Sequence, residues 1–362
     1  MMSSKIPVVI QLIQGKPAEL KNSAAVALLA YLPQQGLETS LIQVDSEGIF
    51  YHHKKEKEVV VCRREKKTGW DLALAGKLAR YLKLEKASVL HLHEPLLSLA
   101  VLWRLQAAGI KCVYSMRGLS HKTMSFLWYK TNRAIIFDSH YTRQKFLLGH
   151  HLPNKKAQVT YDGLNLALLK EILPEKITQL KDKLKIDPSA LVMGSLGGFY
   201  LNQDQTTLLK TFRKMIKKNV NAILVFSGDG PVKNDIEKMS VEFGVHERVR
   251  FVEEDDECLS LLDVLIVSAN ETDYAPFILK AMALRKVVVA TKIGIQAEYV
   301  DEKSGFLVPC GFPERIESAV MRLYASRGLL KTMGDLARER LVQYFSMDKM
   351  AQEQAALYQK IL

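Results

Sequence analysis

Short runs of apolar residues alternate with longer stretches whose apolar positions recur every three or four residues, and the alternation happens twice along the chain. In the first half, runs at 6–13 (IPVVIQLI), 39–44, 57–62, 87–92 (ASVLHL), 111–115, 134–137 (AIIF) and 157–160 predict strands. Helical periodicity predicts helices near 21–34, 71–84, 95–108, 122–130 and 140–148. The second half predicts strands at 190–195, 222–227 (AILVFS), 248–252, 263–267, 287–290 and 305–308. Its helices are expected near 204–218, 231–243, 275–284, 312–325 and 328–342. Runs that are apolar at every position leave no wet face, so they read as parallel strands covered by helices on both sides. The expected fold class is α/β, with two tandem Rossmann-like doubly wound domains. Each should place its ligand crevice beyond the carboxyl ends of its strands.

The boundaries follow. Residues 1–165 form the first domain, 166–188 a charged linker that Pro174 should break or kink, and 189–342 the second domain. Residues 343–362 are expected to form a terminal helix with Ser346 as N-cap. Met347, Met350, Leu357, Tyr358 and Ile361 share one face of it, so it should pack back toward the first domain.

A length of 362 residues with 48% apolar and 25% charged residues is ordinary for a globular protein of two cores. No stretch reaches the ~18 uninterrupted apolar residues of a membrane span. The apolar run near the start reads as a buried strand, not as a signal peptide. Four cysteines far apart, with no CxxC pair, argue against disulfides and zinc and for a cytoplasmic location. Charge changes the picture more. Residues 1–185 carry 29 lysines and arginines against 15 acids, while residues 186–362 carry 22 against 24. A basic half beside a near-neutral half implies an anionic partner for the basic one, or simply a soluble basic surface.

No P-loop, GxGxxG, GxSxG, HExxH or EF-hand signature is present. Gly15 ends the first strand before a helix, where a backbone can approach a phosphate closely. His91 and His93 alternate onto one face at the end of a strand, which places them at a crevice or in the core. Arg117 follows another strand, and its planar fork suits phosphate or carboxylate. The acids of 253–257 (EEDDE) read as a solvated loop. Lys122, Trp128, Lys130, Arg133, Arg143 and Lys145 mix aromatic and cationic groups, as a surface resting on anionic lipid would. Single-stranded nucleic acid would suit the same composition, but no nucleic-acid motif accompanies it, so no such partner is expected.

Several segments together resemble the retaining GT-B glycosyltransferases of family 4. They are GSLGGFYLNQDQTTLLKTF (194–212), VFSGDGPVKNDIEKM (225–239), RVRFVEE (248–254), the stretch 262–300 around FILKAMA, and GFLVPCGFPERIESAV (305–320). VLHLHEP (89–95), VYSMRGLSHK (113–122) and DSHYTRQKFL (138–147) extend the resemblance into the first half. The resemblance implies a nucleotide-sugar donor, such as a UDP- or GDP-sugar, lying between the domains and held mostly by the second. In the family, an arginine and a lysine grip the diphosphate and two glutamates eight positions apart contact the sugar and ribose. Here Ser195 stands for the arginine, Gln203 for the lysine, Thr272 for the first glutamate and Lys280 for the second, with Glu271 one residue away. Arg117 stands where a histidine is frequent. Gly15, Gly228, Phe251 and Gly294 complete the implied donor set, and His93, Arg117 and Glu271 the implied catalytic set.

The resemblance thus implies a hexosyltransferase acting with retention, without a metal or cofactor, on a glycan or lipid acceptor at a membrane during envelope polysaccharide or lipopolysaccharide assembly. The four departures motivate an alternative, a catalytically inactive relative that serves as a binding or partner subunit.

Overall fold

The computed structural model describes residues 6–15, 23–54, 57–63, 72–118, 125–150, 152–169, 172–253, 255–269 and 275–362. The chain divides into two compact units, Met1–Gly163 with Ser346–Leu362, and Leu164–Phe345.

The first unit is built on eight strands: β1 (Val8–Gln14), β2 (Glu38–Val44), β3 (Ile49–Lys54), β4 (Lys57–Arg63), β5 (Ala87–Leu92), β6 (Lys111–Met116), β7 (Ala134–Phe137) and β8 (Ala157–Val159). They lie in the order β4-β3-β2-β1-β5-β6-β7-β8. From β2 to β8 the pairing is parallel, but β2–β3 and β3–β4 are antiparallel. The antiparallel edge does not follow from the hydrophobic pattern. Asp45 makes its turn, its carboxylate accepting from the N–H groups of Glu47 and Ile49 at 2.9 Å each.

The second unit has six parallel strands: β9 (Leu191–Ser195), β10 (Ala222–Ser227), β11 (Val249–Val252), β12 (Val264–Val267), β13 (Val287–Thr291) and β14 (Gly305–Val308). Their order, β11-β10-β9-β12-β13-β14, is that of a dinucleotide-binding domain. Every residue of β9, β10, β12 and β13 is buried, as strands covered on both faces require.

Helices lie within a few residues of expectation, with two corrections. Pro174 opens the Pro174–Lys183 helix at its first position instead of breaking one, since its missing N–H would have no partner there anyway. Within the acids of 253–257, the last three are helical and not part of a loop. Asp255, Asp256 and Glu257 start the helix Asp255–Leu261, where negative charge complements the helix dipole.

The terminal helix Met347–Ile361 is capped by the Ser346 hydroxyl, which accepts from Lys349 N–H at 3.2 Å. Met347, Met350, Ala351, Tyr358 and Ile361 pack with Val9, Val89, Val113 and Ile136 of the first unit's sheet and with Leu28 of the helix Ala24–Tyr31. Among the described residues no helix is long and apolar enough to cross a membrane.

Candidate functional site

In a doubly wound sheet the crevice opens where the strand order reverses, beyond the carboxyl ends. In the first unit that point lies between β1 and β5, and in the second between β9 and β12. Of the candidate residues, Gly15 and His93 lie at the first place and Ser195 at the second.

In the first unit, Gly15 ends β1 with φ +145° and its N–H donates to Val44 O at 3.1 Å. Across the reversal, His91 ends β5 and His93 and Glu94 follow it. Both imidazoles are turned inward, 0% and 6% exposed, with ring centroids 4.4 Å apart. Tyr358, on the terminal helix, donates its hydroxyl proton to Gln354 Oε1 at 2.9 Å. Its oxygen therefore accepts from His91 Nδ1–H at 2.7 Å, which leaves His91 Nε2 to accept from the Ser115 hydroxyl at 2.7 Å. His93 Nε2 donates to Gln11 Oε1 at 2.8 Å. Burial, reinforced by Arg117, holds His91 down at about 3. Burial, then His91 and Arg117, hold His93 well below its ordinary value. His93 is therefore held neutral and buried just beyond the end of β5, the core placement among the two that the sequence allows.

The accessible chemistry sits beside this pair. Arg117, following β6, pairs with Asp162 at 3.0 Å, each about one-third exposed. Burial raises the Asp162 carboxyl, with Arg117 opposing and Asp138 adding to the rise. Asp138 in turn accepts from Gly118 N–H at 2.7 Å. Glu94, half-buried, accepts from Gln14 N–H at 3.0 Å. Burial lifts it to about 6 against the opposing pull of that hydrogen bond and of Arg117. Neither Glu94 nor Asp162 stands out in the sequence as a site residue. The Glu-Pro pair after the histidines is the visible signal for the first. Nothing marks the second, 45 residues from its partner in the chain.

In the second unit the site is made of backbone. Gly197 and Gly198, beyond β9, have φ +89° and +91°, and Gly228, beyond β10, has φ +94°. A Cβ on Gly198 would lie 2.3 Å from Asp229 O, and one on Gly228 would lie 2.6 Å from Gly198 Cα. The two loops thus touch main chain to main chain, which only glycine permits. Ser195, buried, ends β9. Gln203, also buried, donates to Gly197 O at 2.9 Å and accepts from Gln205, which itself donates to Gly198 O at 2.8 Å. Gln203 and Gln205 therefore hold the glycine loop from below. Ser268, after β12, donates to the carbonyls of Gln203 and Asp204 at 2.9 and 3.1 Å and ties the two sides of the reversal together. Asp255 accepts from Gly197 N–H at 3.2 Å and from the Ser227 hydroxyl, filling with its own carboxylate a place where a backbone N–H meets an anion.

Lys280 lies on the helix Ala275–Ala283 and is one-third exposed. Its ammonium donates to Asp256 at 2.7 Å, at the rim of a cavity of about 210 Å³ that also touches Ile177, Leu259 and Lys286. Phe251 is a half-buried member of an aromatic cluster, stacked on Phe226 with centroids 5.9 Å apart, and is not an open platform. Gly294, buried with φ +56°, follows β13. Glu271 and Thr272 lie outside the described residues, as does Lys122.

The expected lipid-facing set is partly corrected. Trp128 is 1% exposed, donates Nε1–H to Leu97 O at 2.6 Å and packs edge-on against Tyr114 and Tyr129. It is a core residue because its indole N–H finds a carbonyl and its ring an aromatic pocket. Arg143 is half-buried and donates to Ala157 O at 3.0 Å and Asn154 Oδ1 at 3.3 Å. Lys130, Arg133 and Lys145 are exposed, Lys145 lying 5.7 Å over the Tyr141 ring.

Residues 176–340 match the family described as glycosyl transferases group 1, and residues 22–168 match glycosyltransferase family 4. N-acetyl-alpha-D-glucosaminyl L-malate synthase of Bacillus anthracis is 23% identical over 81% of this chain and 80% of its own. The lipopolysaccharide core biosynthesis glycosyltransferase LpsE of Rhizobium meliloti is 27% identical over 46% of this chain and 50% of its own. Among solved structures, a glycosyltransferase from Rickettsia africae superposes with a TM-score of 0.80 at 14% identity, covering 99% of both chains. Anabaena Alr3699/HepE in complex with UDP does so with a TM-score of 0.72 at 15% identity, covering 98% of this chain and all of the other.

Proposed function

The chain belongs to the GT-B glycosyltransferases of family 4, and on that premise we propose that it moves a hexosyl unit from a nucleoside diphosphate sugar to a membrane-associated glycan or lipid acceptor in envelope polysaccharide or lipopolysaccharide assembly. The observation that carries this reading is the glycine cradle at the carboxyl ends of β9 and β10. Its close main-chain contacts are present although Ser195 and Gln203 stand where the family has two cations, and Gln203 itself braces the loop. Two relatives' names support parts of the reading: N-acetyl-alpha-D-glucosaminyl L-malate synthase the formation of a glycosylated product, and a lipopolysaccharide core biosynthesis glycosyltransferase the envelope setting. UDP bound to a protein of the same fold supports a nucleoside diphosphate as the donor's leaving group.

In this reading the second unit holds the donor. Lys280, the one cation among the four substituted positions, attracts the diphosphate once it leaves Asp256. Serine and glutamine at 195 and 203 forgo charge-assisted bonds worth roughly 1.5–3 kcal/mol each. Gly15, Gly228 and Gly294 provide close backbone approach, and Glu271 or Thr272 meets the sugar hydroxyls. In the first unit Arg117 and Glu94 bind the acceptor. Configuration is retained, and the leaving diphosphate is neutralised by side-chain cations and helix N-termini without a metal or further cofactor. The protein works in the cytoplasm, at the inner face of the membrane.

A second reading is favoured by one feature of the site. Asp255 already occupies the Gly197 N–H, and Asp256 already engages Lys280, as in a fold kept for binding or partnership without catalysis. Thermal shift against UDP-, GDP- and ADP-sugars separates the two. A donor at 100 times its Kd stabilises by about 2.7 kcal/mol. Stabilisation by one nucleotide series supports the transferase. No response to any of them overturns it in favour of the partner subunit.

A further inference from the structure

Residues 1–185 carry 29 lysines and arginines against 15 acids, yet the balance reverses at the carboxyl ends of four neighbouring strands. Glu94 follows β5, Arg117 follows β6, Asp138 follows β7 and Asp162 follows β8. The pairings Leu92↔Tyr114, Met116↔Phe137 and Phe137↔Val159 set these strand ends side by side, so that three carboxylates surround one guanidinium. Burial raises Glu94, and burial with Asp138 raises Asp162, so both carboxylates gain from any further hydrogen-bond donor.

A side chain from the far end of the chain decides what kind of donor fits. Gln354 of the terminal helix is 0% exposed and lines a crevice with Arg117, Asp138, Thr160 and Asp162. Its Oε1 accepts from Tyr358 at 2.9 Å, and its Nε2 is buried without a partner. A buried amide N–H in that state is satisfied only when an oxygen arrives. While Arg117 holds Asp162 at 3.0 Å the crevice has no room for a water. A ligand oxygen reaches Gln354 by entering between those two groups, each about one-third exposed. There it must accept from Arg117 and Gln354 and donate to Asp162, which a hydroxyl does. A carboxylate or phosphate accepts but cannot donate. It would take Arg117 from Asp162 and leave that half-buried carboxyl beside Asp138 without its cation. An ammonium donates to the carboxylates but cannot accept from Gln354.

We infer that Gln354, with Arg117 and Asp162, forms a subsite that holds hydroxyls of a neutral saccharide and discriminates against phosphorylated, carboxylated and amino sugars. Gln354 is then a specificity-determining residue supplied by the terminal helix. The inference rests on the proposal that the first unit binds the acceptor, and it gives the recognised end of that acceptor its chemistry. The anionic partner that the charge of residues 1–185 suggests does not extend to this subsite.

The test uses the full chain without a donor and follows binding by saturation-transfer NMR. The probes are glucose, galactose and mannose, with the uronate, sugar phosphate and amino sugar of each. At least one neutral hexose is expected to bind at neutral pH, and its charged counterparts roughly tenfold more weakly. Gln354→Met keeps the length of the side chain without its N–H and should lower neutral-hexose affinity about fivefold. Asp162→Asn removes the carboxylate that an anion would strand, so it should raise uronate affinity roughly tenfold, a gain that a damaged fold cannot produce. The melting temperature reports whether Gln354→Met folds, and Asp162→Asn carries the test where it does not. A charged sugar that binds more tightly than its neutral counterpart overturns the inference. So does unaltered hexose binding by folded Gln354→Met, or an Asp162→Asn variant with no gain for uronates. Donor binding is read separately by thermal shift. A protein that takes a nucleotide-sugar but no neutral hexose overturns the inference and leaves the transferase reading standing, whereas the reverse result overturns the transferase reading alone.

Discussion

The two units place their candidate groups at equivalent positions, beyond the carboxyl ends at the reversal of strand order, but build them from different material. In the first unit the position is filled by side chains in a closed network: His93 on Gln11, His91 between Ser115 and Tyr358, Arg117 on Asp162. In the second it is filled by glycine main chain braced by Gln203, Gln205 and Ser268. A side-chain network responds to pH and to the loss of one partner. The glycine cradle rests on close main-chain contacts braced by neutral amides, and it fails on a single methyl group.

The contrast is sharpest in acid. His91 and His93 are lowered in the fold relative to about 6.5 in the unfolded chain, so the unfolded state binds more protons below that pH. Their contribution to stability is complete above about pH 6.5 and is lost as pH falls toward the folded values. Each adds a slope of up to about 1.4 kcal/mol per pH unit. Glu94 opposes them. Its folded value of about 6 is raised, so its effect is to weaken the fold as pH rises from about 4.5 through 6. Melting temperature followed from pH 7 to 4.5 should fall by an amount equivalent to several kcal/mol, and His91→Gln/His93→Gln should flatten the curve. Glu94→Gln should steepen it. A double variant with the unaltered protein's slope would show that the histidines do not titrate as their burial requires.

The second unit breaks through geometry. Gly198→Ala puts a Cβ 2.3 Å from Asp229 O at φ +91°, with backbone on the receiving side, so neither partner yields easily. We expect a loss of about 2–4 kcal/mol in urea unfolding, constant between pH 5 and 8. Gly36→Ala is the control, because its φ is +75° but nothing lies within 4 Å of its Cβ. It should cost about 1 kcal/mol. Equal costs would mean that the contact between the two glycine loops is unimportant.

These distinctions are unevenly legible in the sequence. The strands of the second unit can be placed to within a residue or so because most are apolar runs, β10, β12 and β13 above all, the pattern that burial on both faces imposes, while β11 carries Arg250 and is half-buried. β3 escapes the pattern because IFYHHK carries two histidines, and the buried one, His52, is acceptable inside only through Ser40 and Tyr81, which the sequence does not bring together. Trp128 reads as a surface residue because a cation-rich window says nothing about which way one indole turns. The glycine loops are visible, whereas the conversion of Gln203 from an expected ligand into a brace is not. That depends on where Gly197 O points. Arg117 is a sound candidate from sequence, but its carboxylate partner comes from another strand end altogether.

Side-chain closure in the first unit predicts a smaller effect at Arg117. Arg117→Ala strands Asp162, already raised by burial and by Asp138, so part of the loss is recovered by protonation. The expected cost is about 1–2 kcal/mol at pH 7, shrinking below pH 5 as the carboxyl takes up its proton. Asp162→Asn in the same background should restore most of it. A cost that did not shrink in acid would place the stabilising role of Arg117 somewhere other than Asp162.

The smallest effect on stability is expected at Lys280, and that makes it the most informative position for function. Its pair with Asp256 is partly exposed on both sides, 33% and 49%, and such pairs contribute about 0–1 kcal/mol. Lys280→Ala should therefore leave the urea midpoint nearly unchanged. If the ammonium serves a diphosphate, the same variant should weaken nucleotide-sugar binding at least tenfold, the equivalent of about 1.5 kcal/mol for one charge-assisted bond. Lys280→Glu places a second carboxylate beside Asp256 and should weaken it further. A gain in affinity with glutamate would mean instead that a ribose-accepting carboxylate was lost from this position, and that the resident lysine now serves its contact with Asp256.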